Sequence, residues 1–520
     1  MLRFARALRP RHAQGLVIAA VALTSLVSAN TALAQVPQSD CDERVNNTYK
    51  KVLECVRVSE VREHQAALQA IADANGGTRE AGTSGYTASV DYVVDTLEAA
   101  GWSVELDEFP FTFFPPSTLQ QLTPVAATYA TGAFTGSGSG AAVQGQVIPV
   151  DINLVPPRAS TSGCEASDFA GVSWSGTADI ALIQRGTCTF GIKAINAQAA
   201  GAEAVIIFNQ GNTPDREGLI IGTLLPDGAA VTIPVVGASF ADGAALAQAG
   251  STALVEVPPA ESRPQVNVIA ELPGANNDNV VMAGAHLDSV RAGPGINDNG
   301  SGSAALLETA QQLAHLKPQN TLRFAWWGGE EAGLVGSTAY VNGLSQAEKD
   351  RIALYMNYDM VGSPNYIFMT QDADQSSFTA PVAIPPGSAA IEDLFESFYT
   401  LSNEPYDDAA FDARSDYQAF VANGIPSSGL FTGAEVPKTA EQQSIWGGTA
   451  GAPFDPCYHQ ACDTFANNNN HALSVNAKSI AFAALTYAYS TQAVNGVPGA
   501  AVPGKFTIPP PAGSEGTFVP

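Results

Sequence analysis

Five short stretches of this chain carry side chains able to hold a metal ion and set it to work. They are His286-x-Asp288, Asp298, Glu330-Glu331, Asp359 and Tyr458-His459, the last enclosed by Cys457 and Cys462. Zinc takes imidazole nitrogen and carboxylate oxygen, and in hydrolytic sites it keeps one position for water. Taken singly, each stretch is weak. A lone His after a strand is more often an ordinary hydrogen-bonded residue, and an adjacent Glu pair is most often a solvated acidic patch. Their placement strengthens the signal. The apolar run 280–285 leads into His286, the run 321–327 into Gly328-Gly329-Glu330-Glu331, and the run 352–358 into Asp359. Strand ends in a parallel α/β sheet share one edge, where such side chains can converge. His64, His315 and His471 sit in helical or polar surroundings without an acidic motif.

The elements that must position these residues are legible as periodicity. Val61, Ala67, Leu68 and Ile71 recur at helical spacing over 58–74, and Asn75-Gly76-Gly77 stops the helix. A second amphipathic helix spans 86–100 and ends at Gly101; residues 102–113 then alternate like a strand. After Pro115 the composition turns to Gly, Ala and short β-like runs at 143–150, 178–183 and 205–209. Residues 258–264 (PPAESRP) read as a linker. Beyond it, strand-like and helix-like runs alternate: 280–285, 304–316, 321–327, 352–358 and onward. That alternation predicts an α/β fold with a mixed, largely parallel central sheet between layers of helix. The expected division is 35–123 and 259–495 for this fold, 124–258 for an inserted β-rich module, and 496–520 for a flexible Pro/Gly-rich tail.

Composition narrows the function. A formal charge of −26 excludes nucleic-acid binding as a first reading, because phosphate recognition needs a basic surface. The first 34 residues read as a signal peptide: Arg3, Arg6, Arg9 and Arg11, an apolar run over 15–27, then Ala32-Leu33-Ala34. The apolar run is short for a membrane span of ~20 residues. The expected product is therefore secreted or periplasmic, with no membrane attachment after cleavage. The six cysteines fall as the close pairs Cys41/Cys55, Cys164/Cys188 and Cys457/Cys462. Even number, local spacing and export suggest three disulfides. Free thiols, or a zinc site built on Cys457 and Cys462, are the alternatives.

Together, His286-x-Asp288, Asp298-Asn299-x-Ser301-Gly302, Glu330-Glu331-x-Gly333, Asp359-Met360-x-Gly362 and Tyr458-His459 closely resemble the co-catalytic two-zinc aminopeptidase family. The stretch ALIQRGTCTFGIKAINAQAAGAEAVIIFN resembles the protease-associated (PA) domain, which makes the layout most similar to aminopeptidase Y. The resemblance implies a zinc-peptidase, phosphorylase-like fold and two zinc ions per subunit. His286 and Asp359 would hold one ion, Glu331 and His459 the other, and Asp298 would bridge them. Glu330 would be the general base and Tyr458 would steady the oxyanion. Asp288 would accept the second ring N–H of His286 and fix its tautomer. A cis peptide at Asp298–Asn299 is also implied. Arg414-Ser415-Asp416-Tyr417 departs from the family's Arg-Ser-Asp-His, with Arg414 a candidate for the substrate pocket. The PA domain would be a lid or docking surface.

The activity so implied is removal of N-terminal residues from peptides with a free N-terminus, by a monomer. A related carboxypeptidase would want Arg or Lys gathered at the cleft, and the region is poor in both. A glutaminyl cyclase would do without the second metal. A catalytically silent binding protein would have no use for an intact Glu330 and a full ligand set.

Overall fold

The computed structural model describes residues 36–174, 176 and 178–517. The expected signal peptide lies outside the described residues. The central sheet has eight strands, which we number in chain order. They are β1 (Ser103–Phe109), β2 (Gln265–Leu272), β3 (Asn276–His286), β4 (Asn320–Trp327), β5 (Ile352–Tyr358), β6 (Met369–Gln371), β7 (Asp407–Ala409) and β8 (Ser427–Phe431). Their spatial order is β1-β2-β4-β3-β5-β8-β6-β7. The middle four, β4-β3-β5-β8, are mutually parallel, while β1 and β2 add antiparallel on one side. On the other side β6 runs antiparallel to β8, and β7 parallel to β6.

Alternation along β3 shows why the sheet needs cover on both faces. Val281, Ala283 and Ala285 join a core with Leu68, Leu306 and Ile480. Met282 faces the other way, into a core with Trp327, Tyr355 and Phe420. A parallel strand buried on both faces reads as a continuous apolar run, as β3 and β5 do. The helix Gly300–Leu313 begins directly behind the Asp298 loop, and the Asn299 side chain caps it by accepting from the Gly302 N–H at 2.9 Å. Gly302 has no substitute here. A Cβ at that position would lie 2.2 Å from the Tyr358 carbonyl oxygen, so glycine lets the helix start touch the end of β5.

The expected strand 102–113 is split into β1 and the short strand Thr112–Phe113, because Pro110 between them has no N–H to offer a ladder. A separate seven-stranded sheet has the order Ala127–Tyr129, Thr118–Thr123, Thr252–Glu256, Val143–Val150, Asp179–Gln184, Ala204–Phe208, Val235–Ala238. It already includes Thr118–Thr123, ahead of residue 124. All three disulfides are formed, Cys41–Cys55, Cys164–Cys188 and Cys457–Cys462. No described helix is long and apolar enough to cross a membrane.

The tail, expected to be flexible, is fastened down. Asp407 accepts from the Gly516 and Thr517 amides at 3.1 and 2.8 Å, and the Phe506 ring sits 4.7 Å from that of Tyr49. Missing periodicity does not prevent backbone amides from satisfying a buried carboxylate.

Candidate metal centre

The carboxyl ends of the parallel strands deliver the side chains that their spacing promised. His286 closes β3, Glu330 and Glu331 follow β4, and Asp359 follows β5. Asp298 arrives on the loop before the helix Gly300–Leu313, and His459 on the turn closed by Cys457–Cys462. His286 Nε2 lies 3.2 Å from Asp298 Oδ1 and 3.3 Å from Asp359 Oδ1. His459 Nε2 lies 3.2 Å from Asp298 Oδ2 and 3.0 Å from Glu331 Oε2. Asp298 thus turns one oxygen to each imidazole. Glu330 Oε2 stands 3.9 Å from His286 Nε2. The peptide between Asp298 and Asn299 is cis, as the resemblance implied.

The donor set fits a metal. His286 Nε2, Glu331 Oε1 and Asp359 Oδ1 are buried without a hydrogen-bond partner, an arrangement that costs free energy unless a cation satisfies them. Two groups of donor atoms, His286/Glu330/Asp359 and Asp298/Glu331/His459, each lie within 4.8 Å of one another. Nitrogen and carboxylate together suit zinc.

Protonation tells the same story. Burial would lower both imidazoles, but Asp359 and Glu330 carry His286 well above its ordinary value. Asp298 and Glu331 likewise bring His459 up to about 10. Burial pushes Glu330 well up, and burial with Asp298 nearby pushes Glu331 up to about 7. Against burial, the two imidazoles hold Asp298 below the usual carboxylate range. Without metal, protons on the imidazoles balance the acids; a divalent cation held by these residues would take over that role and release them.

Asp288 acts differently from expectation. Its carboxylate oxygen is 3.7 Å from His286 Nδ1, beyond a hydrogen bond, while its backbone carbonyl oxygen is at 3.1 Å. The turn from His286 to Asp288 presents the carbonyl first. The carboxylate instead accepts from the Glu330 and Glu331 amides at 3.2 and 3.4 Å, setting the direction of both glutamates. Tyr458 stacks on His459 with ring centroids 3.8 Å apart. Its hydroxyl accepts from Arg414 Nη2 at 3.1 Å, and Arg414 Nη1 is 3.0 Å from Glu435. Arg414 therefore lines the cleft as a tether for Tyr458. Tyr417 donates its hydroxyl to Asp412 and accepts from the Ala413 amide.

Three contributors were not visible in the sequence. Arg79, fully buried, donates to the carbonyls of Leu287, Pro294 and Gly295 and so holds the loop between His286 and Asp298. Ser415 donates to Asp359 Oδ2 at 2.6 Å, leaving Oδ1 for the centre. Asp463 accepts from the Asn297 and Asp298 amides at 2.9 and 3.0 Å. The only local signals were Ser415 within the Arg414 segment and Asp463 directly after Cys462.

The centre opens into a cavity of about 540 Å³. Glu330, Glu331 and Asp359 line one end; Met360, Leu430, Phe431 and Phe454 contribute apolar wall. None of the lining residues comes from the second sheet.

An α/β sheet that gathers two imidazoles and four carboxylates at one cleft defines a metallohydrolase. Residues 267–484 match peptidase family M28, and 143–246 match the PA domain. An aminopeptidase of Pseudomonas aeruginosa is 47% identical over 453 residues, covering 85% of this chain and 83% of its own. A probable lipoprotein aminopeptidase of Mycobacterium tuberculosis is 41% identical over 450 residues, covering 84% and 86%. Among solved structures, a zinc aminopeptidase from Bacillus subtilis superposes with a TM-score of 0.57 at 25% identity, covering 84% of this chain and 97% of its own. The chain belongs to peptidase family M28 and carries a PA domain.

Proposed function

We propose that the protein is an exported zinc aminopeptidase that removes N-terminal residues from peptides with a two-metal centre. The observation that carries this reading is Asp298, whose two oxygens each face a different imidazole at 3.2 Å. His286 and Asp359 would hold one zinc, Glu331 and His459 the other, with Asp298 shared. Bound zinc supplies Lewis acidity and makes water acidic enough to be deprotonated near neutral pH.

The chain's own residues do the rest. Glu330 takes a proton from the attacking water as its oxygen bonds to the scissile carbonyl carbon. The C–N bond then breaks, and Glu330 returns the proton to the leaving amine. Asp288 aims Glu330 through the backbone amide. Tyr458 offers its hydroxyl to the carbonyl oxygen as charge develops there. Burial pushes that hydroxyl's pKa well up, so it stays protonated and able to donate. Acidic groups lining the cleft, among them Asp412 and Glu435, favour a protonated α-amine over a carboxylate. Among the described residues lining the cavity Arg414 is the one Arg or Lys, and Glu435 already engages it, which speaks against a carboxypeptidase. The apolar wall favours a bulky apolar N-terminal side chain.

The expected export agrees with a relative named as a lipoprotein. A panel of free and N-terminally blocked aminoacyl amides, with and without chelator, tests the reading. Cleavage of the free amides alone, lost on chelation and restored by zinc, is the expected result. Equal cleavage of blocked amides would defeat the aminopeptidase assignment. Zinc titration that saturates at one ion per chain would defeat the two-metal centre.

A further inference from the structure

Behind one wall of the cleft lies a second group of acids that the catalytic chemistry does not use. β6 and β7 pair in parallel, with Thr370 opposite Asp408 and Gln371 opposite Ala409. Gln371 and Ala409 line the cleft. Because successive strand side chains point to opposite faces, Thr370 and Asp408 share the face turned away from it. There Asp408 meets Glu392 and Glu396, one turn apart on the helix Ser388–Ser402. One carboxylate oxygen from each of the three lies within 4.8 Å of the others. Asp372 and Asp374, just past β6, form an overlapping group with Glu392.

Like charges so placed repel, and Glu392 and Asp408 are almost fully buried, at 3% and 1% exposure. Burial and neighbouring acids push Glu392 up to about 9 and Glu396 up to about 8; the other charged groups acting on them most strongly are Asp372, Asp374, Asp393 and Asp408. Two further atoms point independently to a ligand. The Thr370 hydroxyl, at 0% exposure, has no hydrogen-bond partner although register sets it beside Asp408. Asp408 Oδ1 is also buried and unpartnered, while its Oδ2 accepts from Ser377 and, at 2.9 Å, from Ser514. An all-oxygen pocket of carboxylates and a hydroxyl suits a hard cation rather than zinc. Calcium accepts irregular sets of oxygen ligands, whereas magnesium demands a near-ideal octahedron, so the inference names calcium.

We infer that Glu392, Glu396 and Asp408, with the Thr370 hydroxyl, bind one calcium ion that ties the helix Ser388–Ser402 to β6 and β7. The ion sits behind the strands that supply Gln371 and Ala409 to the cleft, so it braces the cleft wall without entering the chemistry. This site is independent of the two-metal reading.

Full-length protein, freed of calcium with EGTA and then reloaded with zinc, is equilibrated with calcium chloride or magnesium chloride. About one calcium per chain by equilibrium dialysis and a Tm rise of about 3 °C or more at millimolar calcium are expected. The E396Q/D408N variant is expected to bind no calcium and to show a calcium-independent Tm. E396Q alone should melt higher than wild type in calcium-free buffer at pH 7, because folding no longer has to put a proton on a carboxyl held at about 8. Wild-type protein that binds no calcium, or whose Tm is unmoved by it, overturns the inference whether or not the double variant folds. A folded double variant with the full calcium response also overturns it, and an equal response to magnesium overturns the choice of calcium.

Discussion

The proposed mechanism gives Glu330 and Asp298 separable tasks, and substitution can pull them apart. Glu330→Gln keeps the shape and removes the proposed base, so kcat is expected to fall about 10²- to 10⁴-fold with zinc content unchanged. Zinc analysis beside steady-state kinetics checks this, and unchanged turnover would remove Glu330 from the mechanism. Asp298→Ala takes an oxygen from both imidazole neighbours, whereas His459→Ala touches one. The first is therefore expected to lose more zinc than the second, which loses one ion preferentially; zinc stoichiometry by mass spectrometry ranks them. His286, Asp298, Glu330, Glu331, Asp359 and His459 were legible in the sequence because each carries its chemistry in its own side chain at a strand or loop end. Arg79, Ser415 and Asp463 were not. They work by hydrogen bonds to partners 56 to 216 residues away, for example Ser415 to Asp359 and Arg79 to Gly295, and no local pattern encodes those.

At the scale of elements, the His459 turn and the Asp298 loop are held together by Asp463. Both of its carboxylate oxygens are occupied by backbone amides of the loop, so Asp463→Ala frees Asn297 and Asp298 without touching a metal donor. A 10- to 100-fold loss of zinc affinity is expected, as for other groups that orient ligands. Competition with a chelator reads it directly; wild-type affinity in a folded variant would show that the loop needs no such support.

The helix Val58–Ala74 carries a second dependence, through His64. Its Nε2 lies 2.9 Å from Gln311 Oε1 and must donate, while Nδ1 accepts from the Tyr92 hydroxyl at 2.7 Å, so the ring is buried neutral. Burial lowers its pKa to about 4 from an ordinary 6.5. Between those values the unfolded chain binds the extra proton, so stability falls as pH falls. From pH 7.5 to pH 5 this group should cost about 2 kcal/mol. Denaturant unfolding of His64→Gln is expected to show a pH-dependent loss smaller by that amount, and parallel curves would refute it.

At the scale of the molecule, the second sheet is set apart from the chemistry, since no residue of it lines the cleft. Replacing residues 116–258 by a short linker is expected to leave turnover of small chromogenic amides within a few-fold, while changing turnover of longer peptides or stability. A large loss on small amides in a folded variant would contradict a lid or docking role. The alternation of strand-like and helix-like runs determined the α/β class by itself, because a sheet covered on both faces needs continuous apolar strands between amphipathic helices. The residue types of the candidate metal centre were determined the same way, since donor chemistry belongs to single side chains.

Only the tertiary structure decided that Asp298 divides its oxygens between two imidazoles and that Asp288 works through the amides of Glu330 and Glu331. It alone brought Asp408 beside Glu392 and Glu396, and fastened Phe506, Gly516 and Thr517 of the tail to the body of the protein. Each of these depends on contacts between segments distant in the chain, where packing and strand register, not local sequence, set which atoms meet.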